Sequence, residues 1–193
     1  MRVTGRTRII MASAALASAG VVGAYALHSR IPDGRASSTH IVRPVWTETR
    51  WPFPVDPWGK GKAFRCKALD CGNEVNLYVR AKLGFCNCTS GIADDADLDR
   101  MDDLELIDHQ AMPLGTGRPI TVGSMQGRSR AYSLSGSQNR NDAAISIAFN
   151  ERCDMVAATV LLRSGALATI EPIVINFLNS EPMLQWAEVT LGL

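Results

Sequence analysis

A long uncharged segment near the N-terminus constrains this chain more than any other feature of its sequence. Residues 9–27 are 19 consecutive residues without a charge, and Arg2, Arg6 and Arg8 precede them. A basic end followed by an apolar run is typical of a signal peptide or a transmembrane helix. We therefore expect residues 1–27 to insert into a membrane and the remainder to work on the far side of it.

The sequence is compatible with either cleavage or retention of this segment. Ala24-Tyr25-Ala26 has the small-residue pattern of a signal-peptide cleavage site. The apolar run is also just long enough to cross the hydrocarbon core of a bilayer. We expect either a cell inner membrane protein that is anchored through residues 9–27 and faces the periplasm, or a periplasmic protein if the leader is cleaved.

Residues 28–61 form a segment rich in proline and tryptophan. It contains five of the nine prolines, and Trp46, Trp51 and Trp58 are three of the four tryptophans. Proline fixes φ and removes a donor, so a regular helix is not expected here. The segment is a linker or an arm that packs on the domain, an aromatic belt at the membrane interface, or a partner-binding segment. We favour the packing arm, because tryptophan is costly to leave in water.

The charge of the chain is distributed unevenly. Residues 1–62 carry nine basic and three acidic residues, whereas residues 63–193 carry eleven basic and sixteen acidic residues. The basic part coincides with the leader and linker. The acidic remainder lacks the basic surface that nucleic-acid binding needs, so no nucleic-acid partner is expected.

Residues 62–193 predict one extracytoplasmic α+β domain. Apolar residues alternate over residues 75–79, and short apolar segments between polar turns predict further strands over residues 120–125, 129–135, 143–149 and 153–162. Helical patterns occur over residues 94–107, with Asp94 as N-cap, over residues 171–179, and after Ser180. The predicted fold is α+β, a single antiparallel β-sheet with helices packed against it, behind an N-terminal signal or anchor helix.

Four cysteines flank the first predicted strand of that domain. Cys66 and Cys71 precede residues 75–79, and Cys86 and Cys88 follow them. In an oxidising compartment such a cluster usually forms two structural disulfides. We expect Cys66 and Cys71 to pair with Cys86 and Cys88, because the last two are poorly placed to bond each other. A zinc site of four thiolates and a redox-active Cys86–Cys88 pair are the alternatives.

The fifth cysteine, Cys153, lies at the head of a predicted apolar strand. The expected role is a small buried hydrophobic residue. The alternative is a reactive thiol, with His109 as the base that a Cys–His nucleophile requires.

An acidic run over residues 94–108 raises the possibility of calcium binding. If an EF-hand loop began at Asp95, Arg100 would occupy its glycine position and Leu106 its glutamate position, so the motif fails. We interpret the run as a solvated helix face whose acids favour the N-terminus. We predict no metal site, no cofactor and no catalytic residue.

The segments RCKALDCGNEVNLYVRAKLGFCNC and FNERCDMVAATV carry a resemblance to a known class of proteins. In these segments the chain resembles uncharacterised exported or inner-membrane-anchored proteins of Gram-negative bacteria. The resemblance implies an envelope location and brings no chemistry with it. We expect a membrane-anchored or exported envelope protein that acts as a non-enzymatic binding or interaction module, with a protein or small-molecule partner. The alternative is a thiol-based redox protein or a Cys-dependent hydrolase in the periplasm.

Overall fold

The computed structural model describes residues 44–84, 89–108, 110–135, 142–163 and 166–193. Contacts within the chain separate residues 1–39 from residues 40–193. The predicted leader and anchor helix, Cys86, Cys88 and His109 lie outside the described residues.

One antiparallel sheet of eight strands forms the framework of the described chain. Its order is β1-β2-β3-β8-β7-β6-β4, and β5 also pairs with β6. The strands are Trp46–Thr49 (β1), Lys62–Cys66 (β2), Val75–Lys82 (β3), Met112–Pro113 (β4), Arg118–Val122 (β5), Met125–Ser133 (β6), Asp142–Glu151 (β7) and Asp154–Arg163 (β8). The helices are Ala68–Cys71 (α1), Asp95–Met101 (α2), Leu167–Leu178 (α3) and Glu181–Leu191 (α4), with a 3₁₀ helix at Leu104–Leu106 (η1). The α+β fold with a single antiparallel sheet is thus confirmed.

The main core lies between the sheet and the two C-terminal helices. α3 buries Ile170, Val174 and Leu178, which recur every four residues and therefore share one face of the helix. α4 does the same with Met183, Ala187 and Leu191. These stripes pack on the apolar side chains of the central strands, among them Leu77, Ile145, Ile147 and Val160.

The opposite face of the sheet is also covered. There α2 and η1 form two smaller apolar clusters with β6, β7 and β8. Burial on both faces explains why β7 is buried continuously from Ala143 to Phe149 and shows no alternation.

The predicted helix over residues 94–107 is shorter than expected. Asp94 is the N-cap, and its side chain accepts a hydrogen bond from the Asp97 N–H at 2.8 Å, as predicted. The helix ends at Met101, because Asp102 has an extended backbone, with ψ at −179°. The change of direction lets the buried Asp103 carboxylate reach the sheet, where it bonds two cations.

The turn between the strands predicted over residues 120–125 and 129–135 lies at Gly123. Gly123 has φ at +59°, in the left-handed region that glycine adopts readily, and it joins β5 to β6. Gly127 lies within β6 opposite Phe149. A Cβ on Gly127 would come within 2.2 Å of the Ala148 carbonyl oxygen, so this glycine allows close strand packing.

The expected cross-pairing of the cysteines is wrong. Cys66 and Cys71 are bonded to each other, with their Cα atoms 6.0 Å apart. The single turn of α1 folds the chain back at the end of β2 and brings the two cysteines into range. Because this closed loop is short, the bond contributes roughly 2 kcal/mol on a loop-entropy estimate.

Candidate functional site

An open apolar groove lies where the edge of the sheet meets the C-terminal helices. Its volume is about 510 Å³. Side chains of β1 and β2 form the floor of the groove. The end of α3, the junction between α3 and α4, and α4 itself form its wall. The lining residues are Trp46, Glu48, Lys62, Phe64, Phe177, Ser180, Pro182, Met183, Gln185, Trp186 and Val189.

Aromatic contacts fix the shape of this groove. The ring of Trp46 in β1 stacks on Phe177 of α3, with centroids 4.7 Å apart and planes at 25°. Phe64 of β2 meets the same Phe177 ring edge-on, at 4.9 Å. Such pairs contribute beyond the area they bury, so they hold the floor against the wall.

The junction between α3 and α4 is anchored separately. The Asn179 side chain accepts a hydrogen bond from the Gly123 N–H at 2.9 Å and donates to the Ile175 carbonyl at 2.9 Å. The wall of the groove is therefore tied to the β5–β6 turn, and its position is set by the framework.

A ligand can reach the groove from its rim and from the side of β1. Val189 is 74% exposed, and Glu48 and Lys62 form a 3.0 Å ion pair that is itself exposed to solvent. Within the described residues no strand pairs with the outer edge of β1. Backbone groups on a strand edge that carries no partner can pair with a further strand.

The connection between β1 and β2, here called the β1–β2 loop (residues 50–61), packs on the other face of the sheet. Trp51 and Phe53 meet Tyr78 of β3 edge-on, with centroids 6.2 and 4.8 Å apart. Asp56 accepts a hydrogen bond from Arg80 at 2.6 Å. Residues 51–56 thus pack on the sheet. β1 itself is a strand of that sheet, which therefore begins at Trp46 and not at residue 62.

A buried ionic cluster lies beneath that loop. Arg80 donates from Nε and Nη2 to the two carboxylate oxygens of Asp103, at 2.6 and 2.5 Å. Lys82 reaches Asp103 at 2.9 Å and also donates to the carbonyls of Met101 and Asp102. The side chains of Arg80, Lys82 and Asp103 are 4, 5 and 7% exposed. Nearly all of their solvation has therefore been replaced by contacts with one another.

The protonation of this cluster follows from these contacts. Burial alone would lower the pKa of Arg80, but the hydrogen bonds and charges of Asp103 and Asp56 outweigh it and hold that pKa above its usual value. The hydrogen bond from Arg80 lowers the pKa of Asp56, so this carboxyl stays ionised. Arg80 and Asp56 are therefore both charged at neutral pH, and the cluster, here called the clamp, holds the β1–β2 loop on β3.

Our interpretation of the acidic run as a solvated helix face holds only in part, because Asp99 is exposed whereas Asp95 is half-buried and Asp97 is buried. Asp95 accepts hydrogen bonds from the Gly117 N–H and from Arg128, and these contacts lower its pKa. Asp99 pairs with Arg130 at 2.7 Å and accepts a hydrogen bond from the Tyr132 hydroxyl. The acids dock α2 on the arginines of β6. Among the described residues, no three His, Cys, Asp or Glu side chains are grouped to hold a metal.

One acid of this region titrates unusually. Burial raises the pKa of Asp102 to about 6, and the charges of Asp99 and Asp103 act in the same direction. The folded state keeps a proton that the unfolded state releases from about pH 4 upward. Ionisation of Asp102 therefore lowers the free energy of unfolding as pH rises from about 4 to about 6. Above that range this contribution no longer changes with pH.

We predict that Asp102→Asn stabilises the protein at pH 7 by up to about 3 kcal/mol, because it removes this buried charge. It should also flatten the fall in stability between about pH 4 and pH 6. Urea unfolding at a series of pH values measures both effects. The exposed neighbour Glu105→Gln is the control, with a change within about 0.5 kcal/mol. A variant that is no more stable than wild type at pH 7 would contradict the assignment.

The cysteines of the described residues are all in disulfides. Cys66 and Cys71 are buried and bonded to each other. Cys153 lies half-buried in the β7–β8 turn and is itself a disulfide cysteine. A bonded Cys153 has no free thiolate, so it is neither the reactive thiol nor the buried core residue that we considered. Cys86, Cys88 and His109 lie outside the described residues.

Two features of this region escaped the sequence-based predictions. Arg80 and Lys82 share the face of β3 with Tyr78, and the alternation that marked this face as polar was the available signal. The groove had no local signal, because it joins Trp46 in β1 to Trp186 in α4, far apart in the chain.

Comparison with known proteins adds no assignment to this geometry. No protein-family model matches the sequence, and no curated protein matches it. Among the residues that the structure describes, no helix is long and apolar enough to cross a bilayer. A proposal about function therefore rests on the groove, the clamp and the N-terminal sequence.

Proposed function

We propose that this chain is an exported or membrane-anchored envelope protein that binds a partner protein without catalysis. The basic end and the uncharged run of residues 9–27 support export or anchoring, with the folded part in the periplasm. The partner inserts an extended apolar segment into the groove. The single observation that carries the proposal is that this open groove runs beside the outer edge of β1, which no strand of the described residues covers.

The geometry of β1 indicates that the segment bound in the groove is an extended strand. A peptide that pairs with the outer edge of β1 would place every second side chain on the helix-facing side of the sheet. Trp46 and Glu48 of β1 already point to that side, since they line the groove. The added side chains would meet the accessible parts of Trp186 and Val189 on α4. Main-chain bonds then supply affinity, and the groove supplies selectivity for apolar residues.

Binding of a defined peptide tests this proposal. The probe is an eight-residue peptide in which valine alternates with serine, and a copy with N-methyl groups on alternate amides is the control, because it cannot pair as a strand. The full-length protein is held in lipid nanodiscs. We expect the first peptide to change the tryptophan fluorescence saturably and to protect the β1 amides from hydrogen exchange.

A pair of matched variants locates the binding. Val189→Glu places a charge at the groove on a residue that is 74% exposed, so the fold should survive. Leu69→Glu makes the same change in α1, outside the groove, on a residue that is 91% exposed. We expect Val189→Glu to weaken peptide binding about tenfold or more, the cost of one unpaired buried charge, and Leu69→Glu to leave it unchanged. No saturable binding, or equal binding by both variants, would contradict the proposal.

A further inference from the structure

The outer surface of the β1–β2 loop combines exposed apolar residues with two cations. Pro52, Pro54, Val55, Pro57 and Trp58 are exposed there, and the exposed Leu83 lies beside Trp58 in a shared cleft of about 310 Å³. Arg50 and Lys60 line a second cleft together with Pro52, Pro54 and Val55. We propose that this surface, called the loop surface and defined by residues 50–60 and Leu83, docks on an anionic lipid bilayer.

The loop surface carries a net positive charge, because its acidic residue is bonded to the buried clamp and not to the cations of the loop. Asp56 is the only acid of residues 50–60, and it is bonded to Arg80 of the buried clamp. The nearby Glu48 is paired with Lys62. Within the described residues no ion pair neutralises Arg50 or Lys60. Two uncompensated cations beside apolar side chains suit the negative headgroups of an anionic bilayer.

The inner side of the loop gives the loop surface a fixed shape. Trp51 and Phe53 pack on Tyr78, and Asp56 is clamped by Arg80, so both halves of the loop are tied to β3. Trp58 lies over Lys82, with its ring centroid 5.7 Å from the ammonium nitrogen, and remains 38% exposed. A tryptophan held half out of the protein can enter the headgroup region without ordering a flexible loop, which is the position that this residue prefers at membranes.

The length of the N-terminal segment allows this contact. This step rests on the proposed anchoring of residues 9–27. Sixteen residues separate Leu27 from Pro44. Fully extended they reach roughly 55 Å, whereas the four residues of β1, which separate the point of chain entry from the loop, span only roughly 13 Å. An anchored chain can therefore bring the loop surface to the same bilayer.

Quenching of tryptophan by brominated lipid tests the contact in the full-length protein. Residues 1–43 contain no tryptophan, so the fluorescence reports on the folded part alone. The protein is incorporated into vesicles of brominated phosphatidylcholine, with or without an equal amount of phosphatidylglycerol. We expect quenching in the anionic vesicles, a marked reduction of it in Trp58→Phe, and weak quenching in the neutral vesicles.

Charge variants identify the surface responsible. Arg50→Gln combined with Lys60→Gln should shift the docked-to-undocked ratio about 30-fold toward undocked, and quenching should fall accordingly. Lys67→Gln combined with Arg163→Gln removes two exposed cations from the opposite end of the strands, and it should quench like wild type. Equal quenching of both double variants, or of anionic and neutral vesicles, would overturn the proposal.

Flotation in high salt separates failure of the loop surface from failure of the anchor. An anchored chain stays with vesicles in high salt, whereas a chain held by the loop surface alone is released. Release with salt-sensitive quenching would refute the anchor and leave the loop proposal standing. Retention without quenching would refute the loop proposal alone, and a chain that binds in neither salt would overturn both.

Discussion

Asp103→Asn should lower the free energy of unfolding by about 3–5 kcal/mol, the loss typical when one partner is removed from a buried ion pair. The substitution keeps the size of the side chain and removes its charge. Arg80 and Lys82 would then remain buried. Arg80 would keep its ion pair with Asp56, and Lys82 would lose its ion pair. A loss of this size is a large fraction of the stability of an ordinary domain. The midpoint of urea unfolding, at unchanged slope, measures it.

An exposed ion pair on the same sheet provides the control for Asp103→Asn. Arg65 and Glu74 are 2.6 Å apart and both about half exposed, at 49 and 52%. Glu74→Gln should therefore cost no more than about 1 kcal/mol. If Asp103→Asn costs no more than Glu74→Gln, the cluster is not the clamp that we describe.

A third variant tests why the loss occurs. Replacing Arg80 and Lys82 by methionine and Asp103 by leucine removes all three charges together. Buried ion pairs exchanged for apolar residues of similar volume are often neutral or stabilising. We expect this triple variant to recover most of the stability that Asp103→Asn loses. Failure to recover would assign the loss to hydrogen-bond geometry and not to stranded charge.

The sequence predicted those elements whose pattern is local. Alternation placed β3, and the four-residue spacing of apolar side chains placed α4 behind Ser180. Asp94 was found as an N-cap because a cap depends on its neighbours alone. In each of these cases the residues that determine the structure lie within a few positions of one another.

Features that depend on a second layer were not predictable in this way. Alternation in β3 indicates that Tyr78 and Arg80 share a face, but it cannot reveal that Asp103 and the β1–β2 loop cover that face. A cation on a covered face needs a carboxylate partner to be stable there. Asp103 becomes that partner because the extended backbone of Asp102 ends α2 and directs Asp103 toward the sheet. The acids of residues 94–108 therefore looked solvated although several of them bind arginines.

The pairing of Cys66 with Cys71 was missed for a different reason. Our expectation rested on the poor geometry of a Cys86–Cys88 bond, and no local signal indicated that Cys66 and Cys71 would bond each other. The single helical turn of α1 is too short to show a periodic pattern. Very short helices are the elements for which sequence periodicity carries the least information.

Removal of the aromatic arm should have the second large effect on stability. A chain that begins at residue 61 lacks β1 and therefore the stack of Trp46 on Phe177. It also lacks Trp51 and Phe53, which cover Tyr78, and the ion pair from Asp56 to Arg80. Fully buried aromatic side chains contribute about 1.5–3 kcal/mol each, so the loss should be about 3–5 kcal/mol for three that are partly buried and one ion pair.

Comparison with a chain that begins at residue 40 tests this expectation. The shorter chain should unfold at a lower temperature and a lower urea concentration. Replacing Trp46, Trp51 and Phe53 by alanine in the longer chain keeps the backbone of β1 and removes the rings, so it separates aromatic packing from strand pairing. We expect this variant to lie between the two chains in stability. Equal stability of the chains beginning at residues 40 and 61 would show that the arm does not belong to the fold, and the groove, whose floor includes Trp46, would then lose its structural basis as well.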